Sequence, residues 1–178
     1  MERMKLWTRF TSVLLLGLAG LALVSFGAHA VGGKMKSEHN IVAVLQSAGQ
    51  YTTLLKALDA AGLTATLEGR GRYTLFAPND EAFAKLPAGK LDELLKPENK
   101  AELVSILKYH VLPRKLPSHQ LVRIDSPTHM VKTLEGKSVT IRSDNNQVMV
   151  NDAKVITADI KANNGVIHEI DTVLMPPA

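Results

Sequence analysis

No cysteine occurs in the 178 residues. That excludes disulfides, thiolate catalysis, cysteine-based zinc sites and a lipid-modified cysteine behind a leader. An exported domain without disulfides has to be stable through its own core. Charge of one sign is also in short supply. The formal net charge is +4, and residues 1–30 carry Arg3, Lys5 and Arg9 against Glu2, so the remainder holds only +2. That is too weak a field to argue for a nucleic-acid partner. After residue 30 no apolar stretch is long enough to cross a bilayer, and the chain has no internal repeat or low-complexity tract.

The front of the chain has a distinct pattern. Three basic residues precede an uncharged, Leu- and Ala-rich run over 10–26, and Ala28-His29-Ala30 follows. A basic start, an apolar middle and an A-x-A end predict a secretory signal over 1–30, removed on export to the periplasm, cell surface or medium. The alternative for such a run is a retained anchor. Gly17 and Gly20 within it, with Ala28 and Ala30 behind it, favour cleavage. Residues 31–39 read as a short linker and 40–176 as one domain. A chain of that size buries about two thirds of its unfolded surface.

From Asn40 the pattern is helical. Ile41, Val42, Val44 and Leu45 form one face up to Gly49, and Leu54, Leu55 and Leu58 another up to Gly62. Tyr73-Thr74-Leu75-Phe76-Ala77 reads as a strand ended by Pro78, with Asn79 as the cap of a helix through Phe83. Leu91, Leu94 and Leu95 mark a further short helix, and residues 98–109 a longer one with Leu103, Ile106 and Leu107 inward. Beyond Pro113, strand-like stretches at 130–134, 138–143, 147–150, 154–158 and 166–170 alternate with turn-forming residues. Helices first and an antiparallel meander afterwards is an α+β layout. Gly165 is expected to supply a positive φ at a hairpin turn. Ile167 and Ile170 cannot share one face of a regular strand, so a bulge or strand end is expected there.

Three separated segments resemble one family. Thr74-Leu75-Phe76-Ala77-Pro78-Asn79-Asp80-Glu81-Ala82-Phe83 resembles the first signature of fasciclin domains. Tyr109-His110-Val111-Leu112 resembles their tyrosine–histidine segment. Asn164-Gly165-Val166-Ile167-His168-Glu169-Ile170-Asp171 resembles the closing signature. The resemblance runs from about Asn40 to Pro176. It implies a wedge of two β-sheets, about seven strands in all, with helices packed along one edge and the first and last signature strands close in space. It also implies structural roles for Thr74, Phe76, Pro78, Asn79, Phe83, His110, Asn164, Gly165, His168 and Asp171.

The residues offer little chemistry. No H-x-H or H-x-x-x-H spacing, G-x-S-x-G elbow or phosphate loop is present. Asp80 and Glu81 resemble an acid–base pair but belong at a helix start, where they favour the macrodipole. Neither a catalytic residue nor a resident metal or cofactor is therefore expected. The rival reading is a periplasmic enzyme or metal-binding protein that uses His110 and His168 with Asp171 or Glu169.

Binding is the favoured function, to matrix, envelope or polysaccharide components. In animal members of the family, integrin recognition lies at positions that correspond to Tyr109-His110 and Asp159-Ile160. Here Ala158 and Lys161 depart from the animal pattern, and core packing is the plainer role for Tyr109. A feature of this chain that lies outside the family signatures is Arg114, Lys115 and Arg123, with Lys132 beyond, in a stretch over 111–124 that has no acidic residue. An exposed stretch of that kind would attract an anionic polysaccharide; a solvated basic face is the bland alternative.

Overall fold

The computed structural model describes residues 39–122, 128–144 and 147–177. The expected signal over 1–30, linker residues 31–38 and Arg123 lie outside the described residues. Helix α1 (Ile41–Ala48) starts where the Asn40 side chain accepts from the Ala43 amide at 2.8 Å, and stops at Gly49, φ 75°. Helix α2 (Thr52–Ala61) stops at Gly62, φ 74°. Both were legible, because caps act through local backbone chemistry. Helix α3 (Thr64–Glu68) follows; it has five residues, no side-chain cap, and no counterpart in the sequence reading.

Strand β1 (Tyr73–Pro78) leads to α4 (Asp80–Ala84), capped as expected by Asn79, whose side chain accepts from the Ala82 amide at 2.8 Å. Helix α5 (Lys90–Leu94), a 3-10 turn (Pro97–Asn99) and α6 (Lys100–Tyr109) complete the helical half. Then come β2 (Val111–Leu112) and α7 (Ser118–Val122), both too short for periodicity to show. The meander is β3 (Thr128–Lys132), β4 (Ser138–Asp144), β5 (Gln147–Val150), β6 (Ala153–Ala162) and β7 (Gly165–Ile170). Strand β6 is twice as long as the sequence reading allowed. Its bulges, between Val155 and Thr157 and between Thr157 and Ile160, break the alternation that marks a strand.

The strand order is β2-β1-β7-β6-β5-β4-β3. Pairing is antiparallel everywhere except between β1 and β7, which run parallel with Thr74 opposite Val166 and Phe76 opposite His168. Strand β6 belongs to both halves of the ladder, pairing with β7 on one side and β5 on the other. The far ends of the order also meet, since the Leu134 amide donates to the Val111 carbonyl at 2.8 Å. The two-sheet wedge is thus a bent, nearly closed seven-stranded ladder.

Each face of the β1–β7 pair has its own core. Leu75, Ala77 and Ile167 meet Ile41, Leu45, Leu54, Leu58 and Leu103 of the helices. Phe76 and Ile170 meet Leu112, Val131, Val139, Ile141 and Val150 across the wedge. Ile167 and Ile170 face opposite cores, and β7 ends at Ile170, one of the two outcomes expected there. Both are 0% exposed because β7 is buried on both faces, and the bulges fall on β6.

Gly165 also departs from expectation, since it is not among the glycines with positive φ. Its constraint is space. A Cβ there would lie 2.4 Å from the Tyr73 carbonyl oxygen and 2.7 Å from Ile41 Cδ1. A backbone atom cannot step aside as a flexible side chain does. Gly165→Ala is therefore expected to cost about 3 kcal/mol of stability in urea unfolding. A loss below about 1 kcal/mol would show slack in the β1–β7 pair.

Candidate functional site

The Tyr109-His110 pair lies at the C-terminal end of α6 and is buried, at 2% and 1% exposure. The Tyr109 hydroxyl donates to the Ser138 carbonyl at 3.0 Å and accepts from Asn151 Nδ2 at 3.0 Å. His110 Nε2 accepts from the Leu174 amide at 2.9 Å, so the ring proton sits on Nδ1, which donates to the Ile106 carbonyl at 2.8 Å. An amide can only donate, and this fixes the neutral tautomer. Burial depresses the His110 pKa from 6.5 to about 4, although the Ile106 bond works the other way. Tyr109 and His110 thus tie α6 to β4, to the turn after β5 and to the tail beyond β7.

The second histidine stands in β7. His168 is 0% exposed, and its ring lies 5.8 Å from that of Phe76, centroid to centroid. Nδ1 accepts from the Asp159 amide at 3.3 Å, and Nε2 donates to the Leu116 carbonyl at 2.8 Å. Burial again lowers the pKa, against the opposing pull of the Leu116 bond and the Asp159 charge. Thr74 of β1 works beside it. Its hydroxyl donates to the Arg114 carbonyl at 2.7 Å and accepts from the Leu116 amide at 2.8 Å.

Asp159, at the β6 bulge with φ 60°, completes the set. Its carboxylate accepts from the Ser118 amide at 2.7 Å and from the Ser118 hydroxyl. Burial opposes its charge, but the Ser118 bonds and the facing His168 outweigh that and hold its pKa below the usual carboxylate value. Ile160 beside it is half-buried against the helical core.

Three strands therefore fasten the backbone of residues 114–118 from below, while the Arg114 and Lys115 side chains stand exposed above. No ion pair of either is found among the described residues. Lys132 is exposed on β3, the edge strand. Next to the fastened segment, a cleft of ≈ 460 Å³ opens between α7 and strands β5 and β6. Two of its walls are the exposed Val122 and Ile156.

The remaining signature residues also act as ties. Asn164 accepts from the Ile41 amide at 2.9 Å and donates to the Leu67 and Gly69 carbonyls at 2.6 and 2.9 Å. Asp171 accepts from the Lys154 amide at 2.9 Å and from Lys85 Nζ at 3.3 Å. Asn79 donates to Glu169 at 3.1 Å. A tie absent from the sequence reading is Asp80, which caps α2 from 27 residues away by accepting from the Thr53 amide at 2.8 Å. The sole signal for it was an acidic residue beside Asn79, and that has a sufficient local explanation. His110 Nε2 and His168 Nδ1, the two imidazole lone pairs, are both taken by amides. Among the described residues no three His, Cys, Asp or Glu side chains converge as metal ligands do.

The neutral imidazoles set a pH dependence. Between about 4 and 6.5 the unfolded chain takes up the His110 proton and the folded chain does not, so stability rises with pH across that window. His168 shifts in the same direction. The urea midpoint is expected to fall as pH drops from 6.5 to 4, with His110 contributing roughly 3 kcal/mol. His110→Gln is expected to flatten that fall. An equal slope in the variant would show that the ring is not held neutral.

Comparison with known proteins identifies the frame that carries these residues. A sequence model of the Fasciclin domain matches residues 49–176. Protein sll1483 of Synechocystis is 44% identical over 141 residues, covering 79% of this chain and 76% of that one. The cell surface glycolipoprotein MPB83 of Mycobacterium bovis is 42% identical over 133 residues, covering 71% of this chain and 56% of that one. The solved FAS1 domain pair of the insect cell adhesion molecule Fasciclin I superposes with a TM-score of 0.69 at 21% identity. That match covers 79% of this chain and 52% of the insect chain, so the chain spans about half of each of these two longer proteins. With three signatures in register and a matching fold, the chain belongs to the fasciclin domain family.

Proposed function

We propose that this protein is an exported, non-catalytic binding domain that attaches to anionic polysaccharide or to protein of the matrix or cell envelope. The observation that carries the reading is the fastened segment 114–118. Thr74, His168 and Asp159 spend their hydrogen bonds on its backbone and leave Arg114 and Lys115 free for solvent or a ligand. A cationic pair on a fixed backbone is spared the cost of ordering that backbone on binding, which favours attachment to a polymer of repeated negative charge. The leader pattern over 1–30 and a cell-surface relative support an exported location. The cleft walled by Val122 and Ile156 gives a protein partner an apolar foothold beside the charges. With both imidazole lone pairs engaged by backbone amides, His110 and His168 serve the scaffold, not catalysis.

Binding to an immobilised acidic polysaccharide is the test. Attachment at low salt is expected to weaken as the Debye length shrinks to about 8 Å at physiological ionic strength. The double variant Arg114→Ala, Lys115→Ala is expected to bind about tenfold less well at low salt, roughly 0.7 kcal/mol for each charge. Its unfolding curve should match that of the parent, because neither side chain holds the fold. Salt-independent binding, or equal binding by the variant, would overturn the assignment to these residues.

A further inference from the structure

A second site lies elsewhere on the fold, under the turn that follows β3. Here α3, the last turn of α6, β2 and Leu134 enclose a pocket of ≈ 350 Å³. Its walls are apolar: Leu63, Leu67, Val111 and Leu134. Two polar residues join them, Thr66 and Lys108. The volume falls within the ~300–1,000 Å³ range of small-molecule sites, which are typically apolar cavities with a few polar groups that fix orientation.

The walls are held in place without a ligand. Leu67 and Val111 are each 2% exposed. Asn164 grips the Leu67 carbonyl at 2.6 Å, and the Leu134 amide is bonded to the Val111 carbonyl at 2.8 Å. Leu134 keeps 36% of its surface exposed, a large apolar side chain left at the rim. Lys108 is the only charged residue lining the pocket, and it makes no ion pair among the described residues. The nearby Glu135 carboxylate is engaged by the Ser105 hydroxyl and the Lys137 amide, each at 3.2 Å.

We infer that this pocket binds a singly charged amphiphile of the fatty-carboxylate class, with its tail against Leu63, Leu67, Val111 and Leu134 and its carboxylate on Lys108. The polarity follows from the lining. Four aliphatic walls select a hydrocarbon, and Lys108, the only charged residue in the lining, selects a single negative charge at its end. A cationic amphiphile would meet Lys108 as a like charge, and a neutral one would gain no charge-assisted contact there. The site is separate from Arg114 and Lys115, so its test is independent of polysaccharide binding.

The experiment is a proton–nitrogen NMR titration of the purified protein with decanoate, below its micellar concentration. Decanol and decyltrimethylammonium serve as neutral and cationic probes with the same tail. Decanoate is expected to shift the amides of Leu63, Leu67, Val111 and Leu134, with decanol about tenfold weaker, the size of one charge-assisted contact. The cationic probe is expected to leave these amides unmoved. Lys108→Gln keeps most of the stem and should lower decanoate affinity about tenfold without changing that for decanol. Thr66→Trp, at an exposed rim position, should block both probes while the rest of the spectrum stays folded. Shifts confined to other regions, equal binding of all three probes, or undiminished decanoate affinity in Lys108→Gln would each overturn the inference.

Discussion

The parallel register between β1 and β7 is the constraint on which the other contacts depend. It joins residues some 90 positions apart, with Tyr73 opposite Gly165 through to Pro78 opposite Ile170. A pair buried on both faces needs apolar side chains in both directions, and it acquires two cores: helices on one side, the opposing half of the ladder on the other. The register brings the Gly165 Cα so close to the Tyr73 carbonyl that a methyl group has no room. Asn164, one residue earlier, spends its amide on α1, α3 and the loop after α3, so the helical layer is docked from the same point. In a chain without cysteine, this hydrogen-bonded junction binds distant segments where a disulfide might otherwise do so.

Most of the polar residues in the three signatures are consumed by backbone groups. Thr74, His110 and His168 are all but fully buried, yet each finds donors or acceptors on loops, where regular ladders cannot supply them. A buried imidazole between two main-chain groups is strongly held and chemically idle, because its lone pair is spent and its protonation opposed. The same bonds determine what lies outside. Segment 114–118 has no regular structure until α7 begins, and its shape comes from Thr74, His168 and Asp159 beneath it. Scaffold and surface are therefore linked: the signature residues stay hidden, and their partners carry the exposed side chains.

Two surfaces of different character result. The patch above the fastened segment is open and basic, carrying the exposed Arg114 and Lys115. The pocket beneath Leu134 is concave, aliphatic and supplied with one cation. Both are bounded by short elements, α7 in one case and α3 with β2 in the other, that tertiary hydrogen bonds hold in place. The signature residues build the frame and these margins carry the exposed side chains, in keeping with the rule that function resides in sites placed on folds.

The sequence by itself determined the elements whose signals are local: α1 and α2 with their glycine stops, α4 with its Asn79 cap, α6 with its inward Leu103, Ile106 and Leu107, and the turn-punctuated meander. Caps, periodicity and turn chemistry act within a few residues, so they can be read along the chain. Its three signatures also carried the family; the closeness of the first and last of them was implied by that resemblance and not by the residues' own pattern. Only the tertiary structure decided the existence of α3, β2 and α7. Asn164 holds the Leu67 carbonyl, Leu134 pairs with Val111, and Asp159 caps Ser118 from 41 residues away. It also decided that Gly165 serves packing instead of a turn, and which remote groups Tyr109 and His110 hold from inside. In each case the partner is remote in sequence, and a hydrogen bond or steric contact across such a distance leaves no periodic trace in the chain.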